Sequence, residues 1–458
     1  MAFFRSRKSE SPPLSVPQPE HVADDAIDDE TPEGGDEYGD EYREDDVARE
    51  WRDRADAVIP GGASTGSKRP AALFGPDDAT SPAHYVRASG CTLVTVSGES
   101  LVDCTMALGA VALGYADPAV TRNVVEAAAS GNVAGLSSVL EVELAERLCE
   151  VIPCAEQVRF VKSGAEACAA AVRIARAATG RSRVVGSGYF GWLDWWTKGG
   201  VGVPAGASAD FVPVPFDDLP ALEAAAAAAG SDLAAIVLEP FVEREPSQGW
   251  LEAARALCDR TGAVLVFDEI KTGFRVRTGG WQEFAGVEPD LATFGKAMAN
   301  GFPLAAVVGR AAVMEAARAT WISSTLACEG TALAAALAVL DRHEAEDVPA
   351  ALAAAGQAMR GAVERAIAAS GATGVRVEGI APMWLVRFDD ESRQDRWLAL
   401  ARASGVLFKR GAYDFASLAH DERAVAAIER AASTAFVELL EEERRQGERA
   451  GGGGGRGR

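Results

Sequence analysis

Asp268 and Lys296 are the residues whose types and setting point most directly to chemistry. Asp268-Glu269 closes an apolar run rich in β-branched residues, 263–267, which reads as a buried strand delivering carboxylates to its C-terminal edge. Lys296 lies between Gly295 and Ala297, after a second short run, Leu291-Ala292-Thr293-Phe294. An amine and a carboxylate on neighbouring strand ends are what a pyridoxal phosphate site requires: the lysine forms a Schiff base and the aspartate pairs with the pyridinium nitrogen. An apolar strand ending in Asp-Glu also fits the magnesium-holding strand of an ATPase. That reading needs a GxxxxGK[ST] phosphate loop. Around Lys296 the first glycine is replaced by Asp290 and the hydroxyl residue by Ala297, so the ATPase reading fails.

The elements that must hold these residues alternate along the chain. Strands are predicted at 157–161, 183–186, 234–238 and 263–267, with helices at 164–179, 219–229 and 251–260 between them. That order implies an α/β fold with a mostly parallel, doubly covered sheet whose ligands collect at the carboxyl ends of the strands. Ser163, Tyr189, Glu239, Asp268 and Lys296 each follow such a strand, so one crevice can receive them. The turn containing Ser163, Gly164 and Ala165 offers free amides at a helix N-terminus, a candidate phosphate cup that equally suits an ordinary helix start. The loop 188–196 carries Tyr189, Trp192, Trp195 and Trp196; such rings either stack on a planar ligand or fill a lobe interface.

Composition narrows the function classes. The 458 residues carry a formal charge of -22, which argues against nucleic acid as a partner. Fifteen carboxylates face only Arg43 and Arg49 between positions 20 and 50, so residues 1–48 read as a disordered acidic tail. The N-terminus has no sustained apolar stretch of the secretory kind, and no run is apolar enough to span a bilayer. Seven cysteines without CxxC spacing suit reduced thiols in a cytoplasm, and four scattered histidines suggest no metal site. The expected organisation is the acidic tail, an N-terminal segment of a small domain at 49–103, a large cofactor-binding domain at 104–330, a C-terminal small α+β domain at 331–445 and a flexible Gly/Arg tail at 446–458. Within it, order is expected to begin with a short helix near Trp51. A hairpin is expected around Ser97-Gly98, and helices at 118–130, 141–149, 331–344, 349–370 and 424–442.

The stretches VRFVKSGAEACAAAVRIARAATGR, VFDEIKTGFRVRTGGWQEFAGVEPDLATFGKAMANGFPLAAVVGR and FASLAH resemble the class III aminotransferase family, especially its glutamate-1-semialdehyde 2,1-aminomutase branch. The resemblance covers roughly residues 51–440 and implies a fold type I pyridoxal phosphate enzyme, a homodimer with active sites at the subunit interface. By position, it implies that Lys296 is the Schiff-base lysine and proton shuttle, and that Asp268 is the pyridinium partner. Tyr189 and Ile270 match the two faces of the ring site, and Ser163, Gly164 and Ala165 match the phosphate turn. Thr325 matches a threonine that reaches the phosphate of the partner subunit.

Departures from the family pattern cluster on the substrate side. Ala165 replaces a threonine of the phosphate turn, and Phe190 replaces a histidine after the ring-stacking tyrosine. Arg244 stands nearest the place of an asparagine, Ala412 replaces a glutamate, and the carboxylate-binding arginine of the N-terminal loop falls at or beside Lys68 and Arg69. These losses favour transfer of an amino group from a small-molecule amino donor to a carbonyl acceptor, in ping-pong order through Lys296, over the aminomutase reaction or another isomerisation or epimerisation. A catalytically silent protein of the same fold is a further alternative, disfavoured by the retained Lys296 and Asp268. Trp192, with Trp195 and Trp196, is a candidate wall of a roomy acceptor pocket.

Overall fold

The computed structural model describes residues 44–76, 81–247 and 249–452. Most of the expected acidic tail, 1–43, and the last residues of the Gly/Arg tail, 453–458, lie outside the described residues. Both tail boundaries need correction where they enter the described part. A helix, Glu44–Val58, starts ahead of Trp51, with Asp46 in its first turn, where the helix dipole favours negative charge. At the other end a helix runs over Glu422–Gly452, carried past residue 446 by the helix-forming run of Glu and Arg before it.

The strands are β1 (Tyr85–Ser89), β2 (Thr92–Thr95), β3 (Ser100–Asp103), β4 (Gln157–Val161), β5 (Arg183–Ser187), β6 (Phe211–Pro213) and β7 (Leu233–Leu238). They continue with β8 (Val264–Asp268), β9 (Leu291–Phe294), β10 (Ala305–Gly309), β11 (Val375–Ile380), β12 (Met383–Phe388), β13 (Val406–Leu407) and β14 (Asp414–Phe415). Seven of them form one sheet in the order β4-β10-β9-β8-β7-β5-β6. The pairs from β9 across to β6 are parallel, and β10 runs against both its neighbours.

Alternation of side chains buries both faces of this sheet. Ala235, Val237, Val264, Val266 and Val307 pack on one face with Ala171 and Ile174 of the helix Gly164–Thr179. Ile236, Leu238, Leu265, Phe267 and Val308 pack on the other with Leu333, Ala336 and Leu340 of the helix Gly330–Ala345. Burial on both faces leaves the strand ends as the place where polar groups can reach solvent or a ligand.

Two smaller sheets complete the chain. The expected hairpin around Ser97-Gly98 joins β2 to β3, with β1 on the far side of β2. The late strand β13 pairs in parallel with β3, Val406 opposite Val102, so the C-terminal segment is tied to the N-terminal one. β11, β12 and β14 form the third sheet. The helix Glu391–Ala403 was not apparent from sequence: its start is dominated by Glu, Arg, Gln and Asp, and the core contacts of Trp397, Leu398 and Ala401 come late in it.

Candidate active site

The carboxyl end of β8 builds the acid side of the site. Asp268 is buried, and its Oδ1 accepts hydrogen bonds from the Ile270 amide at 3.0 Å and the Thr293 hydroxyl at 3.2 Å. Its Oδ2 accepts from the Cys168 thiol at 3.2 Å. Three elements therefore aim the carboxylate: its own turn, β9, and the helix Gly164–Thr179. Burial, and then the charge of Glu239, push this carboxyl up to about 6. A cation brought next to it would favour the ionised form.

Glu269 has a different task. It is fully buried on the far side, where it accepts from the Trp281 amide at 2.7 Å and the Gln282 amide at 2.9 Å and bonds the Thr272 hydroxyl. It closes the loop 269–282 onto the strand end. Only the first of the two adjacent acids, Asp268, lines the cavity.

Lys296 follows β9 and Gly295 and sits at φ 48, in the left-handed region that residues with a Cβ seldom occupy. Such strain, of order 1–3 kcal/mol, persists only where the surroundings hold it. Asn300, also left-handed, supplies part of that hold: its side chain accepts from the Ala112 and Leu113 amides at 2.9 Å each and donates to the Gly114 carbonyl at 3.0 Å. Burial and the neighbouring Lys271 charge lower the Lys296 amine to about 8. A lysine so placed carries a useful fraction of neutral, nucleophilic amine near physiological pH.

These groups open into one cavity of about 360 Å³, within the roughly 300–1,000 Å³ range of small-molecule pockets. Gly164, Ala165, Tyr189, Asp268, Ile270 and Lys296 all line it, so six of the expected site residues meet there. At the start of the helix Gly164–Thr179 the Ser163 hydroxyl accepts from the Glu166 amide, and the Glu166 carboxylate accepts from the Lys162 and Ser163 amides and the Ser163 hydroxyl. Ser163 is thus engaged in a capping box. The amides of Gly164 and Ala165 have no acceptor within the helix, and both residues line the cavity, where an anion could use them. A Cβ on Gly191 would lie 2.3 Å from the Ala165 Cβ, so the aromatic loop reaches the cup only because that residue is glycine.

The remaining expected residues are dispersed. Thr325 is exposed and is not among the residues lining its own chain's cavity. Trp192 is 76% exposed, while Trp195 and Trp196 pack with Phe190 and Phe211 in an aromatic cluster. Tyr189 touches the edge of Trp196 at 5.5 Å between centroids. Lys68 lines a second, mainly apolar cavity, and Arg69 donates to the Pro60 and Ala63 carbonyls at 3.3 Å. Arg244 pairs with Asp217 at 2.6 Å.

Sequence reasoning gave Glu239 a place in the crevice and no role, and passed over Lys271, Cys168 and Asn300. Glu239 accepts from the Tyr189 amide at 2.9 Å and pairs with Lys271 at 2.7 Å. A second lysine so soon after Asp268 was the available signal.

The residues present fit pyridoxal phosphate. Unpaired helix-start amides would hold its phosphate, Tyr189 and Ile270 its ring, Asp268 its ring nitrogen and Lys296 its aldehyde carbon. A family model described as Aminotransferase class-III matches residues 74–191 and 216–418. Glutamate-1-semialdehyde 2,1-aminomutase of Methanothermobacter thermautotrophicus is 40% identical over 279 residues, 57% of this chain and 64% of that protein, so the matched part spans just under two thirds of that relative. 3-Aminobutyryl-CoA aminotransferase of Cloacimonas acidaminovorans is 33% identical over 70% of this chain and 78% of its own. Among solved structures, the pyridoxal phosphate internal aldimine form of Sphingopyxis sp. MTA144 FumI superposes with a TM-score of 0.83 at 28% identity, covering 87% of this chain and 97% of that one.

Proposed function

This chain belongs to the class III aminotransferase family, and we propose that it is a pyridoxal-phosphate-dependent aminotransferase, moving an amino group from a small-molecule amino donor to a carbonyl acceptor in ping-pong order. The observation that carries this reading is the opening of Lys296 and Asp268 into a single cavity beside the amides of Gly164 and Ala165. The cofactor, when bound, supplies an electron sink for the carbon that loses its proton. Lys296 supplies the amine that binds the aldehyde and, when displaced by the donor, moves the proton. Asp268, held by Ile270, Thr293 and Cys168, keeps a negative charge against the ring nitrogen. Tyr189 and Ile270 hold the ring between them.

The sheet around β8 and β9 supports a cofactor-binding lobe at 104–330, and the pairing of β13 with β3 supports a second lobe made from 49–103 and 331–445. The working unit is a homodimer, which gives exposed Leu136, Val139, Trp321 and Leu326 a surface to cover and Thr325 a neighbouring site to reach. No described helix is long and apolar enough to cross a membrane and the cysteines are free, in keeping with a cytoplasmic enzyme.

The 40% identity to an aminomutase favours a second reading, an intramolecular amino shift. The present site gives it less support: Arg69 is bonded to carbonyls, Lys68 lines another cavity and Ala412 has no carboxyl group. Reconstitution with pyridoxal phosphate, borohydride reduction and peptide mapping test the site, with modification expected at Lys296. A donor alone is expected to give one turnover, and an added carbonyl compound to restore cycling. No modification at Lys296, or sustained turnover of one compound without an acceptor, overturns the proposal.

A further inference from the structure

Lys271 shares the cavity with Lys296, Asp268 and Glu239. Its amine lies 2.7 Å from a Glu239 oxygen, and both side chains are largely buried, at 17% and 7% exposure. It also sits 4.9 Å from the centre of the Tyr413 ring, which accommodates a cation on its face. The other Glu239 oxygen holds the Tyr189 amide. The charge is therefore pinned by an acid and a ring, and the same acid fixes the loop that presents Tyr189.

A buried ion pair is weak evidence for stability, because a well-packed apolar pair of similar size often serves as well. Its position in the cavity is more informative. The charged groups around Lys296 are Lys271, Glu239, Asp268 and Arg275. Glu239 is answered by Lys271. Arg275 is fully buried, bonded to the Gly109 and Ala416 carbonyls at 2.8 and 2.9 Å and facing the Phe415 ring, with no carboxylate partner among the described residues. Lys271, in the same cavity, and Arg275 thus both disfavour the charge of the Lys296 amine, and a lysine beside another cation is a known form of activated nucleophile.

We propose that Lys271 is a positioning residue of this site: a fixed cation, locked by Glu239 and Tyr413, whose field activates the Lys296 amine as a nucleophile. Burial disfavours the Lys271 charge, yet Glu239 and then Tyr413 outweigh it and hold its proton more tightly than in an ordinary lysine. Lys271 therefore stays charged where Lys296 titrates. The identity of Lys296 as the nucleophile rests on the function proposed above; the field acting on it does not.

The test is the pH profile of Lys296 acylation by acetic anhydride in the full-length protein freed of cofactor, read by peptide mass spectrometry. The wild-type midpoint is expected at about 8. In Lys271→Met the midpoint rises and labelling at neutral pH falls about tenfold for each unit of rise. Lys271→Arg, which keeps the charge, retains the wild-type profile. Lys271→Gln serves where Lys271→Met fails to fold, with the same rise expected. A Lys271→Met profile that overlays wild type, or an equal shift in Lys271→Arg, overturns the proposal. Failed borohydride trapping in the wild type would count against the cofactor reading alone.

Discussion

The ends of β8 and β9 and the loops around Lys68, Trp192 and Thr325 were both expected to serve one site, and the chain treats them differently. At the strand ends, Asp268 and Lys296 are fixed by neighbours that are themselves buried: Thr293, Cys168 and the loop gripped by Asn300. The loop group has no such frame. Trp192 and Thr325 are exposed, Lys68 lines another cavity, and Arg69 is bonded to nearby carbonyls. A buried sheet carries spacing in sequence into geometry. Loops add degrees of freedom, and a loop serving a partner subunit cannot complete a site in one chain.

The largest expected effect breaks the strand-end region at its centre. Lys296→Ala should abolish the borohydride-trapped product and lower transamination by at least about a thousandfold, since in the proposed function it removes both nucleophile and proton carrier. Retained trapping at another residue would move the nucleophile elsewhere. Asp268→Asn should fold, because the amide oxygen still accepts from Ile270, while losing the charge that faces the ring nitrogen. A fall of about a hundredfold in turnover is expected, a typical size for loss of one preorganised electrostatic partner. Near-wild-type turnover would mean that Asp268 only supports the strand end.

These two residues were legible because their strands are apolar, short and bounded by polar turns. β4 and β9, with the helices Gly164–Thr179 and Leu219–Ala229, follow the expected bounds for the same reason. The three-residue β6 is too short to show a period, and β10, Ala-Ala-Val-Val-Gly, carries a uniform apolar run without alternation. Side-chain partnerships were harder still. Nothing in sequence tells that Cys168, a hundred positions before Asp268, donates to it, or that Glu239 chooses Lys271. The tryptophans left two readings open, ligand-facing rings or packing, and Trp195 and Trp196 pack with Phe190 and Phe211.

Thr325 sharpens the contrast between the regions. If it serves the partner's phosphate cup, Thr325→Ala should weaken cofactor retention about tenfold, the scale of one hydrogen bond to a charged group, and leave monomer stability unchanged. Arg69→Ala should leave retention unaffected. Mixing Thr325→Ala subunits with Lys296→Ala subunits gives a decisive arm. In the proposed dimer each hybrid then holds one site with both Lys296 and the partner's threonine, and that half of the hybrids' sites should regain wild-type affinity. No recovery on mixing would confine Thr325 to its own subunit.

The smallest effect concerns how firmly the strand end is closed, and it separates Glu269 from Asp268. Burial pushes Glu269 up to about 7 against an ordinary value of 4.5, even with Thr272, Trp281 and Gln282 donating to it. Between those values the folded chain binds more protons at this group than the unfolded chain does. Its contribution is therefore complete below pH 4.5 and is lost as pH rises through 7, about 3 kcal/mol at most. Asp268, raised to about 6, adds loss of the same sign at lower pH. The melting temperature of the cofactor-free protein should fall by a few degrees from this source between pH 5 and 7. Glu269→Gln, which cannot titrate, should flatten that slope, and Asp268→Asn should flatten only its lower part. Equal slopes in wild type and Glu269→Gln would show that the loop 269–282 is held without a buried proton.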